Sequence, residues 1–239
     1  NTTGSNNVAI GLGALVTNTT ASNNTAVGYQ ALYAEDTESS LVAVGYQAMY
    51  NNNSGIRNTA VGYQALESNV SGGSNTACGY EALVNNTADG NSGFGNDALR
   101  NNTSGEKNTG LGNEALENNT TASFNTAVGH EALTANTTGQ YNVAVGSHAL
   151  DANTTADSNT AVGHAALGAN TTGNLNNAFG KAAMELCTTG TDNSVFGYIS
   201  GQNITGGNSN ACFGNASGND ITTGGNNVCI GVNAGRGTS

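Results

Sequence analysis

The sequence predicts an all-β protein, a parallel β-solenoid of fourteen short coils, and three observations predict it. A glycine recurs at Gly11, Gly28, Gly45, Gly62, Gly79, Gly95, Gly112, Gly129, Gly146, Gly163, Gly180, Gly197, Gly214 and Gly231, with a step of 17 residues except for 16 between Gly79 and Gly95. A unit this short encloses no core by itself, so each copy must bury its apolar side against the next. Proline is absent from all 239 residues, as expected where backbone N–H groups are needed for hydrogen bonds between coils. The residues before each glycine alternate with the period of a strand, as in Asn24, Thr25, Ala26, Val27.

Taking the strand first, the residue before the glycine is large and apolar in nearly every copy, from Ile10, Val27 and Val44 through Phe94 and Val128 to Ile230. This series is expected to face inward, with the alanine at the strand centre facing out. An acidic residue at Val128 is accordingly expected to be highly damaging.

The corner after the glycine comes next. Its third and fourth residues read Ala-Leu in nine copies, from Ala14 and Leu15 to Ala166 and Leu167, and the leucine series forms a second apolar ladder. In the last three copies that position is Gly201, Gly218 and Gly235, while Phe196, Phe213 and Ile230 stand before the repeat glycine and Ile204 and Ile221 appear in the loop. Volume is expected to be exchanged between positions, as a close-packed interior requires. The small residues Ala65, Ala82, Ala98 and Ala115 are expected to let neighbouring rods approach closely.

The rest of the unit, Asn-Thr-Thr-Gly at its most regular (Asn136 to Gly139), has turn chemistry. An asparagine stands four residues before the glycine in thirteen of the fourteen copies, Leu41 being the exception. Stacked side-chain amides at Asn24, Asn58, Asn75, Asn108, Asn125 and Asn159 are expected to form a structural ladder. Eight corners carry N-x-S/T, at Asn18, Asn52, Asn69, Asn102, Asn119, Asn136, Asn153 and Asn170. These read either as a row of glycosylation sites or as turn residues, the turn reading being favoured.

Composition narrows the function. The repeat runs from residue 1 to 239 and reads as a single repeat domain, a fragment of a longer or polymeric rod whose ends follow the core pattern without polar caps. Five basic residues against sixteen acidic ones, formal charge −11, offer no surface for nucleic acid. No apolar run of 18 residues suggests insertion in a membrane. Cys78, Cys187, Cys212 and Cys229 lack metal-ligand spacing. Cys212 and Cys229 share a position in adjacent copies, as a disulfide or as small residues at an alanine site.

Few groups suggest chemistry. The stretches Gly93 to Ala98 and Gly110 to Ala115 fit G-x-G-x-x-A, but the register simply repeats where a nucleotide site needs a long helix. Glu81, Asp97, Glu114 and Glu131 form a column, either a cation site or a solvated acidic stripe. His130, His148 and His164 read as surface substitutions. Tyr29, Tyr46, Tyr63 and Tyr80 form an aromatic column, with Tyr33 and Tyr50 nearby, able to stack on sugars or on one another. No residue is assigned to catalysis, cofactor or metal.

The stretch Asn6-Asn7-Val8-Ala9-Ile10-Gly11, echoed at Asn142-Val143-Ala144-Val145-Gly146, resembles the head repeat of trimeric autotransporter adhesins. The longer pattern N-T-A-V-G-Y-Q-A-L with N-T-T-G is similar to repeat arrays of bacterial surface and phage or viral tail-fibre proteins. The resemblance implies a left-handed β-roll, a homotrimer or filament of identical subunits, and a place on a cell or virion surface facing a host glycan or protein. The expected function is a structural extracellular shaft without catalysis. Two alternatives stand beside it. One is an ice-binding solenoid, suggested by Thr120, Thr137, Thr154 and Thr171 but interrupted at Asp36, Asn53 and Val70; the other is a tail-spike-like carbohydrate-binding or depolymerising protein.

Overall fold

A computed structural model describes residues 2–34 and 37–236, so Asp36 lies outside the described residues. The chain comprises two compact units, residues 1–121 and 122–239. The first carries β1 (Val8–Ile10), β2 (Thr25–Val27), β3 (Val42–Val44), β4 (Thr59–Val61), β5 (Thr76–Cys78), β6 (Ser92–Phe94) and β7 (Thr109–Leu111). Each pairs in parallel with the next, with like positions aligned, as in Ala60 opposite Ala77 and Val61 opposite Cys78. The second unit carries β8 (Thr126–Val128), β9 (Val143–Val145), β10 (Thr160–Val162), β11 (Asn177–Phe179), β12 (Ser194–Phe196), β13 (Ala211–Phe213) and β14 (Val228–Ile230), also paired in sequence and in parallel. Each unit is thus a β-solenoid with one strand per coil, and no helix occurs among the described residues.

Three-residue strands leave most of each coil to corners, and the corners are built from left-handed backbone. In the coil after Gly62, Gln64 (φ 52°), Leu66 (φ 54°) and Ser74 (φ 59°) all lie in that region, and the equivalent residues of other coils do the same. Each such residue costs about 1 kcal/mol or more relative to ordinary backbone. Hydrogen bonds between coils offset this: Gln64 N–H donates back to Tyr46 O at 2.8 Å, and Leu66 N–H forward to Ala82 O at 3.1 Å. The 16-residue step is absorbed in one loop. Asn86 donates to the carbonyl two residues on (Ala88, 2.9 Å), where Asn69 reaches three residues on (Gly72, 2.9 Å). Asn102 still bonds Asn86 Oδ1 at 2.7 Å, so the deletion does not disturb the stack.

The strand faces are the reverse of the sequence expectation. The central residues Ala26, Ala43, Ala60, Ala77, Ala127, Ala144 and Ala161 are fully buried, whereas the large apolar residue before the glycine is half-buried or exposed, as at Val128 and Leu111. The reason is the leucine ladder. Leu32, Leu66, Leu83, Leu99, Leu133 and Leu150 fill the interior completely, and a side chain at the strand centre must lie against them: a Cβ on Gly93 would stand 3.2 Å from Leu83 Cγ. Only a small residue fits there. Ala65, Ala82, Ala98 and Ala115 are likewise buried inside the coil wall and do not face a neighbouring rod.

Near the C-terminal end of the second unit the interior changes composition; Ile204 takes part in the exchange as expected, whereas Phe196 and Phe213 do not. A Cβ on Gly201 would lie 2.9 Å from Ile204 Cδ1 and 3.2 Å from Val195 Cγ1, and one on Gly218 would meet the Cys212 sulfur. Val195 and Cys212, at the strand centres, and Ile204, at the loop asparagine position, therefore occupy the volume that leucine fills elsewhere. Phe196 and Phe213 stack on the outside at 5.0 Å.

Candidate functional site

The asparagine ladder is a backbone-to-side-chain device. Leu41 N–H donates to Asn24 Oδ1, Asn75 N–H to Asn58 Oδ1, Asn91 N–H to Asn75 Oδ1, Asn142 N–H to Asn125 Oδ1 and Asn176 N–H to Asn159 Oδ1, all at 2.8–2.9 Å. Asn108 N–H takes its place on Asn91 Oδ1 at 2.9 Å. The same amides donate forward to loop carbonyls, Asn58 to Gly72 O at 2.7 Å and Asn125 to Gly139 O at 2.8 Å. Since these residues are fully buried, each bond satisfies a group that would cost about 1–3 kcal/mol if left alone.

The second asparagine column consists of the N-x-S/T residues. Asn18, Asn52, Asn69, Asn102, Asn119, Asn136, Asn153 and Asn170 are all buried. Their side-chain nitrogens donate inward: Asn69 to Asn52 Oδ1 (2.8 Å), Asn119 to Asn102 Oδ1 (2.7 Å), Asn153 to Asn136 Oδ1 (2.9 Å) and Asn170 to Gly173 O (3.0 Å). A glycan on any of these nitrogens has no room in the folded coil. The motif here is corner chemistry.

On the outside, residues of like position stack. Tyr29, Tyr46, Tyr63 and Tyr80 lie ring on ring at 5.0–5.2 Å, and Tyr33 and Tyr50 at 5.0 Å. Gln30, Gln47 and Gln64 form an amide column that sequence reading overlooked, although their 17-residue spacing was visible (Gln47 Nε2 to Gln30 Oε1, 3.0 Å). In the acidic column, Glu81 is engaged by Arg100, with Nε and Nη2 both 2.7 Å from Oε2. Asp97 lies 3.4 Å from Arg100 Nε. Glu114 accepts from Asn113 Nδ2 at 2.8 Å. Gly93 and Gly110 sit at strand centres, and their G-x-G-x-x-A matches lead into corners.

In the second unit, the side chains of His130, Glu131 and His148 come together, a grouping of histidine and carboxylate donors not repeated among the described residues. His130 and Glu131 follow Gly129, and His148 and Asp151 lie one coil on. His130 Nε2 is 3.4 Å from Glu131 Oε1, and His148 Nδ1 is 3.2 Å from Glu131 Oε2 and 3.5 Å from Asp151 Oδ2. His164 approaches His148 only edge-on, with ring centroids 6.0 Å apart.

All four cysteines are free, and Cys212 and Cys229 lie opposite each other in adjacent strands. Burial pushes the Cys187 thiol up to about 11, and burial with Cys229 alongside pushes Cys212 up to about 12. Keeping a thiol neutral adds stability that is fully present below its unfolded value of 9.0 and is lost as pH rises toward the folded values of about 11 and 12. At about pH 8, Cys187 and Cys212 are therefore expected to resist iodoacetamide in the native chain and to react in denaturant. Mass spectrometry showing native modification of Cys212 would contradict this burial.

The fold and these stacked columns define a repeat β-solenoid. No known family model matches the chain, and no curated protein matches it.

Proposed function

We propose that the chain is a structural segment of an extracellular fibre, a shaft or spacer in a surface adhesin, filament or tail fibre, assembled as a homotrimer through the outward faces of its strands. The observation that carries this reading is an apolar column on that face in each unit. In the first unit it includes Val61, Phe94 and Leu111, 38–47% exposed, and in the second Val145, Phe196 and Phe213, 37–40% exposed. Monomeric proteins seldom leave apolar patches beyond about 300–600 Å² uncovered, and larger ones mark contacts. Coils of nearly constant length, stabilised by internal asparagine ladders, suit a load-bearing role better than a cleft. The ice-binding alternative has less support, because Thr137, Thr154, Thr171, Thr188 and Thr205 donate their hydroxyls to the carbonyl one coil on at 3.0–3.3 Å.

Sedimentation equilibrium of the full chain tests this. A mass three times that of the chain is expected, falling to one chain when Val145 and Phe196 are replaced by glutamate while the β-type circular dichroism persists. Cys78, on the same outward face, should react with iodoacetamide only in the dissociated variant. A monomer in the unaltered protein would overturn the assembly.

A further inference from the structure

We infer that His130, Glu131 and His148 form a binding site for a divalent transition ion of the zinc type, which clamps two successive coils of the second unit. The donor atoms of the three lie within 4.8 Å of one another. Their closest separations, 3.4 Å from His130 Nε2 to Glu131 Oε1 and 3.2 Å from His148 Nδ1 to Glu131 Oε2, are each close to the edge of a tetrahedron with metal–ligand bonds of about 2.0–2.1 Å, one to either oxygen of the carboxylate. Two imidazoles with a carboxylate suit zinc and its neighbours, whereas magnesium and calcium favour all-oxygen sets. Asp151, 3.5 Å from His148 Nδ1, provides a second carboxylate beside the site.

The backbone fixes this arrangement. Glu131 (φ 54°) and His148 (φ 56°) occupy the same left-handed corner position in adjacent coils, and His148 N–H donates to His130 O at 3.0 Å. The ligands are thus carried on hydrogen-bonded corners, with side chains half-exposed and open to an ion. Because they come from two coils, a bound ion opposes their separation and stabilises the folded chain by linkage.

The test is calorimetric titration of the full chain with Zn²⁺ alone, with Mg²⁺ as the comparator. One Zn²⁺ per chain is expected, with a rise in the thermal unfolding midpoint and no comparable binding of Mg²⁺. His148→Gln and His130→Asn should each weaken binding by about 100-fold or more, beyond the 10–100-fold typical of losing an outer partner of a metal ligand. Both should fold, because Gln30, Gln47 and Gln64 already occupy the position of His148 in other coils, and Asn96 and Asn113 that of His130. His164→Ala should retain binding. Equal affinity for Mg²⁺, unchanged Zn²⁺ binding in His148→Gln, or a loss in His164→Ala as large as in His148→Gln would overturn the site.

Discussion

Replacing Gly146 by alanine is expected to lower the stability of the chain by roughly 3 kcal/mol or more, the sum of a backbone and a packing cost. Gly146 has φ 137°, a region alanine rarely enters. Its added Cβ would fall 2.6 Å from both the carbonyl carbon and the oxygen of Gly163 and 3.0 Å from His164 N. Those atoms are backbone of the next coil, so relief requires the coils to part, and the strand pairing of β9 with β10 stands in the way. Gly168→Ala is the control. Its Cβ would meet its nearest neighbours at 3.4 Å, in ordinary contact, and the smaller freedom of the unfolded chain should leave stability unchanged or raised by up to about 1 kcal/mol. Urea unfolding of the two variants measures the difference; equal midpoints would show that the repeat glycine is not required by the close approach of coils.

The second large effect separates the two faces of one strand. Ala127→Asp is expected to cost roughly 3–5 kcal/mol, because it places a carboxyl without a partner in a fully buried site walled by leucine. Val128→Asp, one residue on, should alter the stability of the isolated chain by less than about 1 kcal/mol, since the side chain there is half-buried on the outward face. This reverses the order expected from the sequence. Val128→Asp should instead weaken association, since it introduces charge into the apolar column that joins subunits in the proposed fibre. Thermal unfolding and sedimentation on both variants provide the check. A larger loss of chain stability at Val128 than at Ala127 would restore the original assignment of faces.

The reversal at Ala127 and Val128 shows where sequence reasoning runs out. Period-two alternation assigns residues to opposite faces of a strand but does not say which face is inside. Ordinarily the larger apolar residue marks the core. Here the width of a coil decides otherwise, because Leu83 and its equivalents reach across the interior and leave the strand centre room for little more than alanine, and at Gly93 even a Cβ would be tight. The exceptions, Val195, Cys212 and Cys229, appear where the leucine position becomes Gly201, Gly218 and Gly235.

The candidate site was legible only in part. The tyrosine column and the first asparagine column follow from the 17-residue step, because parallel coils in register place like on like. The N-x-S/T asparagines were legible as corners but not as buried ones; accessibility depends on which loop amides turn inward to satisfy carbonyls such as Gly72 and Gly139. The group at His130, Glu131 and His148 was hidden because His130 stands one register position before the other two, and the position that Glu131 and His148 share changes residue type from coil to coil. Only the rotation of each corner side chain brings Glu131 between the two histidines.

By itself, then, the sequence determined the repeat, the strand positions, the parallel order and the stacking of like residues, since these depend on periodicity and on the backbone freedom of glycine at each coil boundary. Tertiary structure decided which strand face is core, which asparagines are sealed and which titratable groups meet. Those depend on how much volume a single 17-residue coil can enclose, and on side-chain directions at left-handed corners, neither of which a one-dimensional period contains.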